Sequence, residues 1–331
     1  MGIWQKLSNC FGTKVEITSN QHLKPAHPKS QHATKAESKV KLTAAKPNNK
    51  IKYIIAFASG KGGVGKSTVS SNLAFALESM GNSVGLLDAD IYGPSQAIML
   101  GNNQKATAKD GLLIPVESNG IKFISMSCVN PKQGAVIVRA PIAVQAVNQF
   151  LNGTLWGELD YLIIDLPPGT GDIQLSLAQK AKLTGVIIVT TPQSLAVEIA
   201  RKSLQMFKKV NVPILGVIEN MSGYTCKHCQ NKSAIFNEGG GMAIANKDNI
   251  NLLAQIPLDS DVLMHGGKGS SIIADLPNSI SSKAFKDAAL KIDKFLKAKV
   301  KITNDNLEPQ KIINNKDLNQ LELEWPDGKK L

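Results

Sequence analysis

Short apolar runs alternate with amphipathic segments along the chain from Tyr53 to about Val300. Runs this short and this uniformly apolar are typical of strands that are buried on both faces of a parallel sheet. The alternation therefore predicts an α/β fold, a doubly wound and mostly parallel sheet with flanking helices. The predicted strands are Tyr53–Ala58, Val84–Asp88, Leu112–Val116, Ile121–Met126, Tyr161–Asp165, Val186–Val189, Ile214–Ile218 and Leu252–Ile256.

The amphipathic segments predict helices that cover the sheet. The longest of them, Ser282–Val300, has lysines on one face and apolar residues on the other, which predicts a closing helix packed on the sheet. A helix lying on a membrane surface has the same pattern and is the alternative. The apolar face is Phe285, Ala289, Ile292, Phe295 and Leu296. Other helices are predicted at Ser67–Met80 and Ser194–Val210, from Arg139 towards Phe150, and after Phe236.

The composition divides the chain into a folded part and two polar ends. The 331 residues are 43% apolar, which is enough for one large α/β domain or two small ones, and we place one domain at residues 53–300. Residues 1–52 contain ten lysines and two acidic residues, which accounts for most of the net charge of +12. We expect this segment to be a disordered, solvated arm, with contact to nucleic acid or anionic lipid as the less favoured alternative. A polar, mobile tail is expected at residues 301–331.

Cysteine usage and hydropathy bear on the compartment. No run approaches 18 apolar residues, so the sequence predicts no membrane-spanning helix. Four cysteines in a chain without an apolar secretory leader predict a reducing compartment, the cytoplasm. Two of them, Cys10 and Cys128, are isolated in the sequence, and Cys128 is expected to be a small buried apolar residue.

The segment after the first predicted strand fits the phosphate-binding pattern G-x-x-x-x-G-K-[ST]. Its glycines allow backbone N–H groups to face a phosphate, Lys66 reaches the β- and γ-phosphates, and Ser67 offers a hydroxyl to Mg²⁺. The following helix directs the positive end of its dipole at the same place. A glycine-rich turn without a ligand is the alternative. The predicted nucleotide-binding residues are Gly60, Lys61, Gly62, Gly63, Val64, Gly65, Lys66, Ser67 and Thr68.

Lys61 is a second cation at the start of this loop, where a plain phosphate loop has no requirement for one. The spacing resembles the deviant loop of the MinD, ParA and ArsA class of dimeric ATPases. In that class the early lysine crosses the dimer interface to the partner's nucleotide, and the resemblance implies the same catalytic role for Lys61. A solvated loop lysine is the alternative.

Two further strands end in carboxylates at the edge where parallel sheets bind ligands. We expect Asp90 to orient the attacking water while Asp88 supports Mg²⁺ or the loop, with turn chemistry before Tyr92 as the alternative. Asp165 ends an apolar strand in the form of a Walker B motif, which predicts a Mg²⁺ ligand that acts directly or through water. The glycine-hinged segment Leu166–Asp172 is typical of a switch loop that responds to a γ-phosphate.

Asn220 and Arg139 are two further candidates near the nucleotide. Asn220 follows the strand Ile214–Ile218 at the ligand edge, where its amide could hydrogen-bond an adenine, and a cap or turn role is the alternative. For Arg139 the sequence does not decide between a charge partner of the nucleotide and a surface arginine.

Cys226 and Cys229 form a CxxC pair in a polar loop. Two thiolates at this spacing bind one metal centre, but Zn²⁺ or an iron-sulfur cluster has four ligands, so a dimer would supply the full set. A thioredoxin-like redox pair is disfavoured because the motif does not open a helix after the first strand of a βαβ unit. Two incidental cysteines are the other alternative. His228, between the thiols, is expected to be a solvated loop residue.

The motifs in combination resemble the Mrp/ApbC family of P-loop ATPases, which are implicated as iron-sulfur cluster carriers. The resemblance extends from about Tyr53 to Lys297 and implies a P-loop NTPase fold of the SIMIBI type. It also implies a homodimer with ATP at the interface and a 4Fe-4S cluster bridged by the CxxC cysteines of both subunits. The segments that carry it are the phosphate loop, Asp88–Ser95, Asp165–Asp172, Glu219–Ser222 and Cys226–Cys229.

The resemblance also assigns residues and partners. Lys66, Ser67, Asp90 and Asp165 would form the ATP and Mg²⁺ site, and scaffold and recipient apo iron-sulfur proteins would be the partners. The sequence therefore predicts an ATP-dependent cluster carrier with slow hydrolysis. A MinD- or ParA-like partitioning ATPase that acts on membrane or DNA shares the deviant loop without needing the CxxC pair, and it is the alternative. Zinc remains an alternative to iron because both metals accept thiolates.

Overall fold

The computed structural model describes residues 47–129, 140–169, 171–305, 311–315 and 320–324. Arg139, Thr170 and most of the predicted N-terminal arm lie outside these ranges. The strands are β1 Lys50–Ser59, β2 Val84–Asp88, β3 Thr107–Lys109, β4 Leu112–Ile114, β5 Val116–Ser118, β6 Ile121–Ile124, β7 Glu158–Asp165, β8 Gly185–Thr190, β9 Ile214–Thr225, β10 Lys232–Ser233, β11 Leu252–Leu258, β12 Lys311–Asn315 and β13 Gln320–Glu324. The helices are α1 Lys66–Ser79, α2 Gln96–Met99, α3 Met126–Val129, α4 Ala140–Asn152, α5 Asp172–Lys180, α6 Ser194–Lys209, α7 Gly240–Asp248, α8 Ser260–Lys268, α9 Ile272–Asp275 and α10 Ile280–Asp305.

Nine strands form one sheet in the order β10-β9-β8-β1-β7-β2-β6-β5, with β11 also paired to β9. The strand β1 lies between β7 and β8 and is parallel to both. Only the pairs at β10 and β5 are antiparallel among the described strands of this sheet. The carboxyl ends of β1, β2, β7, β8 and β9 therefore meet at one edge, where a doubly wound sheet binds its ligand.

Alternate residues of the central strands enter two separate cores. Ile55 and Phe57 of β1 pack under α1 and α10 on one face, whereas Ala56 and Ala58 pack under α4, α5, α6 and α7 on the other. Because side chains alternate along a strand, a strand that is apolar at every position serves both cores. The predicted doubly wound α/β fold is confirmed.

The long helix α10 is fixed to the sheet by a buried hydrogen bond as well as by apolar contacts. The Tyr161 hydroxyl on β7 donates to Asp293 Oδ1 at 2.5 Å, and the Tyr161 ring stacks on Tyr53 with the ring centroids 5.3 Å apart. Four of the five residues predicted for the apolar face are buried. The prediction was wrong for Phe295, which is 40% exposed because it lies beyond the edge of the stripe that contacts the sheet.

The predicted strand Leu112–Val116 is divided between β4 and β5, and the predicted strand Ile121–Met126 is shortened to β6. Asn119 and Gly120 both have positive φ, at 49° and 76°, and they join the antiparallel pair β5 and β6. Two central residues with positive φ give the turn whose twist matches that of the flanking strands. β6 then continues into the main sheet beside β2.

The ends of the domain also differ in detail from the sequence prediction. β1 begins at Lys50 rather than Tyr53, and α10 continues to Asp305. The strands β12 and β13 pair with each other within the segment assigned to the tail. Over the described ranges, the structure has no helix that is both long and apolar enough to cross a membrane.

Candidate nucleotide and cysteine sites

The phosphate loop joins the carboxyl end of β1 to the first turn of α1. Gly65 has φ 78° and precedes Lys66, the first residue of the helix. A Cβ atom at Gly65 would overlap the amide nitrogen of Asn220, so both the positive φ and the lack of space require glycine here. The loop therefore has the local geometry that the phosphate-binding pattern predicts.

Lys66 and Asp165 form a buried ion pair at the centre of this edge. Lys66 Nζ lies 2.5 Å from Asp165 Oδ1, and the two side chains are 6% and 0% exposed. The strand register places Asp88 of β2 directly beside Asp165 of β7. Burial, and then the neighbouring Asp165 carboxylate, raise the pKa of Asp88 to about 7. One buried cation thus lies among two buried carboxyl groups.

Asp88 orders the loop that follows β2. Its carboxylate accepts hydrogen bonds from the backbone N–H groups of Asp90, Ser95 and Gln96, each at 3.1 Å, and from the Ser125 hydroxyl at 3.2 Å. The structure thus gives Asp88 the loop-supporting contacts that the sequence offered as one of its two roles. Asp90 is partly exposed, so its side chain is accessible to water. Its Oδ1 accepts a hydrogen bond from the Gly93 N–H at 3.1 Å.

Gln96 is a residue of this site that the sequence analysis missed. Its side-chain amide donates to Asp165 Oδ2 at 2.8 Å and to the Ser67 carbonyl oxygen at 3.1 Å. It is fully buried. A glutamine after a Gly-Pro-Ser turn carries no motif, so the sequence offered no signal for this contact.

Lys61 lies away from the buried ion pair. Its Nζ donates to Gln193 Oε1 at 3.2 Å, and the side chain is partly exposed. Gln193 directly precedes α6 and follows β8, the strand beside β1, by three residues. Among the described residues of one chain, the Lys61 side chain therefore contacts Gln193, at the outer edge of the site, and it does not contact Lys66 or Asp165.

Asn220 contacts the phosphate loop directly. Its Nδ2 donates to the Val64 carbonyl oxygen at 2.9 Å, and the residue is 8% exposed. The preceding Glu219 is fully buried and was also missed by the sequence analysis. Glu219 accepts from the backbone N–H groups of Gly239 and Gly241 at the start of α7, a position where the helix dipole favours a carboxylate. These contacts fix the end of β9 against both the loop and α7.

Cys226 and Cys229 lie in the turn between β9 and β10. The Cys226 N–H donates to the Asn231 carbonyl oxygen, and the Gln230 N–H donates to the Cys226 carbonyl oxygen, both at 2.9 Å. Backbone N–H groups of Cys229 and His228, and then the Cys229 thiol, lower the pKa of the Cys226 thiol. The motif lies in the turn between two antiparallel strands and opens no helix, as predicted.

Both cysteines of the pair are accessible, whereas Cys128 is buried as predicted. Cys226 is partly exposed and Cys229 is exposed, and Cys128 is 2% exposed. Burial raises the pKa of Cys128 to about 11. Across the described part of the chain there is no group of three or more His, Cys, Asp or Glu side chains arranged to hold a metal ion. Cys226 and Cys229 therefore supply two ligands of the four that a Zn²⁺ ion or an iron-sulfur cluster needs.

One strand connects the two sites. Asn220, which contacts the phosphate loop, and Cys226, which begins the cysteine turn, are separated by the last residues of β9. Along an extended chain this separation is at most about 20 Å. Met221 and Gly223 in between have φ of 57° and 68°, and the register of β9 with β11 shifts at this point. The connection is therefore short and irregular.

Known proteins share both the sequence and the fold. The chain is 44% identical over 253 residues to a protein of Aquifex aeolicus named iron-sulfur cluster carrier protein, covering 76% of this chain and 70% of that protein. Among solved structures, the nucleotide-binding protein of Archaeoglobus fulgidus in complex with ADP, in which cobalt was found, is 39% identical with a TM-score of 0.59. That match covers 66% of this chain and 87% of the other.

The cell-division ATPase MinD of Pyrococcus furiosus has the same fold at 23% identity, with a TM-score of 0.57 over 74% of this chain and 99% of its own. A family model described as ParA, NUBPL iron-transfer P-loop NTPase, matches residues 50–293. This range contains the phosphate loop, the buried Lys66 and Asp165 pair, and the cysteine turn. The P-loop NTPase fold and the resemblance to carrier ATPases are thus confirmed, and the chain belongs to the NUBPL iron-transfer family of ParA-type P-loop NTPases.

Proposed function

We propose that the protein is a homodimeric ATPase that binds a labile 4Fe-4S cluster and transfers it to apo iron-sulfur proteins in the cytoplasm. The observation that carries this proposal is the course of β9, which contacts the phosphate loop at Asn220 and ends beside Cys226. The name of the Aquifex aeolicus relative supports the same assignment. Slow hydrolysis suits a protein that changes state once per transfer.

The cysteine turn fits a cluster as cargo. Two thiols on one chain leave a four-ligand centre half bound, so the same turn of a second copy supplies the other two ligands. The lowered pKa of Cys226 favours the thiolate, which is the form that binds metal. An exposed turn also allows a recipient's thiols to reach the cluster. A zinc-bridged dimer uses the same ligands, and the metal therefore has to be measured.

The phosphate loop fits a Mg²⁺-nucleotide. Oxygen ligands suit Mg²⁺, and the Ser67 hydroxyl and the Asp165 carboxylate would hold it, while the first turn of α1 would bind the phosphates. When bound, Mg²⁺ neutralises charge that develops on the phosphates. Lys66 has to leave Asp165 in order to reach a phosphate, so nucleotide binding breaks the ion pair seen here.

Asp90 and Lys61 have the remaining catalytic roles in the proposal. Asp90 is accessible and close in the chain to the Asp88 carboxylate that orders its loop, and it would orient the attacking water. Lys61 lies at the rim against Gln193, and it would act on the nucleotide of the partner subunit. Asn220 is proposed to contact the adenine as well as the loop.

Anaerobic reconstitution with iron and sulfide tests the cluster. We expect a brown wild-type dimer with about four irons, and a colourless, iron-free Cys226→Ala/Cys229→Ala variant. Cys128→Ala is the matched control because that thiol is buried away from the turn, and it should reconstitute like the wild type. Equal iron in the double variant would remove the cluster proposal, and zinc at one ion per dimer would replace it with a structural site.

Cluster transfer to an apo 4Fe-4S enzyme, with and without ATP, tests the coupling. Lys66→Met should keep the cluster and lose the effect of ATP on the transfer rate. Asn220→Ala should do the same, because it removes the contact between β9 and the phosphate loop. Transfer that is independent of ATP in the wild type would contradict the coupling without contradicting the cluster.

A further inference from the structure

Gln96 connects the two residues proposed to hold Mg²⁺. Its Nε2, which has two hydrogens, lies within hydrogen-bond distance of three acceptors: Asp165 Oδ2 at 2.8 Å, the Ser67 carbonyl oxygen at 3.1 Å and the Ser70 hydroxyl at 2.9 Å. Its backbone N–H donates to Asp88 Oδ2 at 3.1 Å. One residue therefore joins β7, the start of α1 and the loop after β2.

The remaining polar atom of Gln96 gains nothing for the fold. Oε1 is buried and has no hydrogen-bond partner within the described ranges. A buried acceptor without a donor is unfavourable, and an apolar side chain of the same length would avoid that cost. The buried oxygen therefore does not explain a glutamine at this position, and the contacts of the amide nitrogen do.

The contacts of Asp165 explain what this nitrogen does. In the structure, Lys66 Nζ contacts Asp165 Oδ1, and Gln96 Nε2 contacts Oδ2. Once Lys66 turns to a phosphate, Gln96 is the described side chain that still holds the carboxylate. The same amide fixes the backbone of Ser67, so the two metal ligands keep their relative position.

We propose that Gln96 is a positioning residue for Mg²⁺, which orients Asp165 and Ser67 while Lys66 is bound to the nucleotide. This inference rests on the Mg²⁺-nucleotide site of the proposed function. Hydrogen-bond partners of metal ligands typically change metal affinity 10- to 100-fold when they are removed. Gln96 thus acts on the metal-dependent part of nucleotide binding and has no contact of its own with the metal in this proposal.

The test compares ADP binding with Mg²⁺ and with EDTA by isothermal titration calorimetry. For Gln96→Met, we expect the gain in ADP affinity that Mg²⁺ gives to the wild type to fall about 10- to 100-fold. Affinity in EDTA should stay within about threefold. Gln96→Met also leaves the buried Asp165 with one donor fewer, so the unfolding temperature should fall by roughly 2–12 °C while the protein still folds. Gln96→Asn keeps the amide but is one methylene shorter, and it should show the same loss if Gln96→Met does not fold.

Asn72→Leu is the control for removing a buried amide. Asn72 is 5% exposed, and its amide donates to the Thr68 carbonyl oxygen within α1. It should keep the full gain from Mg²⁺. An unchanged gain in both Gln96 variants, or an equal loss with Mg²⁺ and with EDTA, would overturn the positioning role. A wild type without any gain from Mg²⁺ would overturn the proposed metal site as well.

Discussion

Replacing Lys66 with Met leaves Asp165 as a fully buried carboxylate that has lost its cation. Removing one partner of a buried ion pair costs about 3–5 kcal/mol, because the other charge stays away from water without compensation. In a domain of this size, 1 kcal/mol shifts the unfolding temperature by roughly 2–4 °C. We therefore expect Lys66→Met to lower it by about 6–20 °C in the absence of nucleotide.

A second ion pair on the same sheet gives the matched control. Lys50 Nζ lies 2.7 Å from Glu158 Oε1, close to the 2.5 Å of the buried pair, but these side chains are 69% and 75% exposed. Exposed pairs contribute about 0–1 kcal/mol because water screens both charges. Lys50→Met should therefore change the unfolding temperature by roughly 4 °C at most.

The assay is thermal and urea unfolding of both variants in EDTA without nucleotide. Adding Asp165→Asn to Lys66→Met removes the uncompensated charge and should recover most of the lost stability. Equal stability of Lys66→Met and Lys50→Met would refute the reasoning, since it would show that Asp165 does not depend on Lys66. The Lys66 and Asp165 ion pair would then not be what holds this edge together without a ligand.

Three further predictions follow from the pKa values and the hydrogen bonds. The pKa of Asp88 is raised to about 7, so between pH about 4 and 7 this carboxyl group keeps a proton in the folded protein that it loses in the unfolded chain. Asp88 therefore makes the free energy of unfolding fall as the pH rises from about 4 to 7. Asp88→Asn should flatten that dependence, measured as the unfolding temperature between pH 5 and 8.5. Cys226 has a lowered pKa and should be alkylated by iodoacetamide at neutral pH well before Cys128, as peptide mass mapping over time would show, and equal rates would contradict the structure. Tyr161→Phe leaves the buried Asp293 carboxylate with one hydrogen-bond donor fewer and should lower the free energy of unfolding in urea by about 1–3 kcal/mol. A change below about 0.5 kcal/mol would show that this hydrogen bond does not hold α10 to the sheet.

The sequence predicted the layers of the fold because each strand carries its own signal. A strand such as β7 is apolar at successive positions, and that pattern requires cover on both faces wherever the strand lies. The phosphate loop was predictable for a similar local reason, since its glycines, Lys66 and Ser67 are contiguous. The cysteine turn was found by spacing alone.

The contacts inside the site were not predictable in this way. Lys66 and Asp165 are 99 residues apart in the chain, and Gln96 and Asp165 are 69 apart. No local pattern records which side chains the parallel register brings together, and a glutamine in a short helix has no distinctive neighbours. The same holds for Phe295, because helical spacing gives the direction of a side chain but not the width of the contact with the sheet.

The fold class, the phosphate loop and the CxxC pair can be read from residue types at short spacing along the chain. The folded domain adds that Lys66 is held by Asp165, that Gln96 bridges Asp165 and Ser67, and that β9 runs from the phosphate loop to Cys226. These relations arise where distant strands end at the same edge of the sheet, and the packing of the whole domain sets that arrangement.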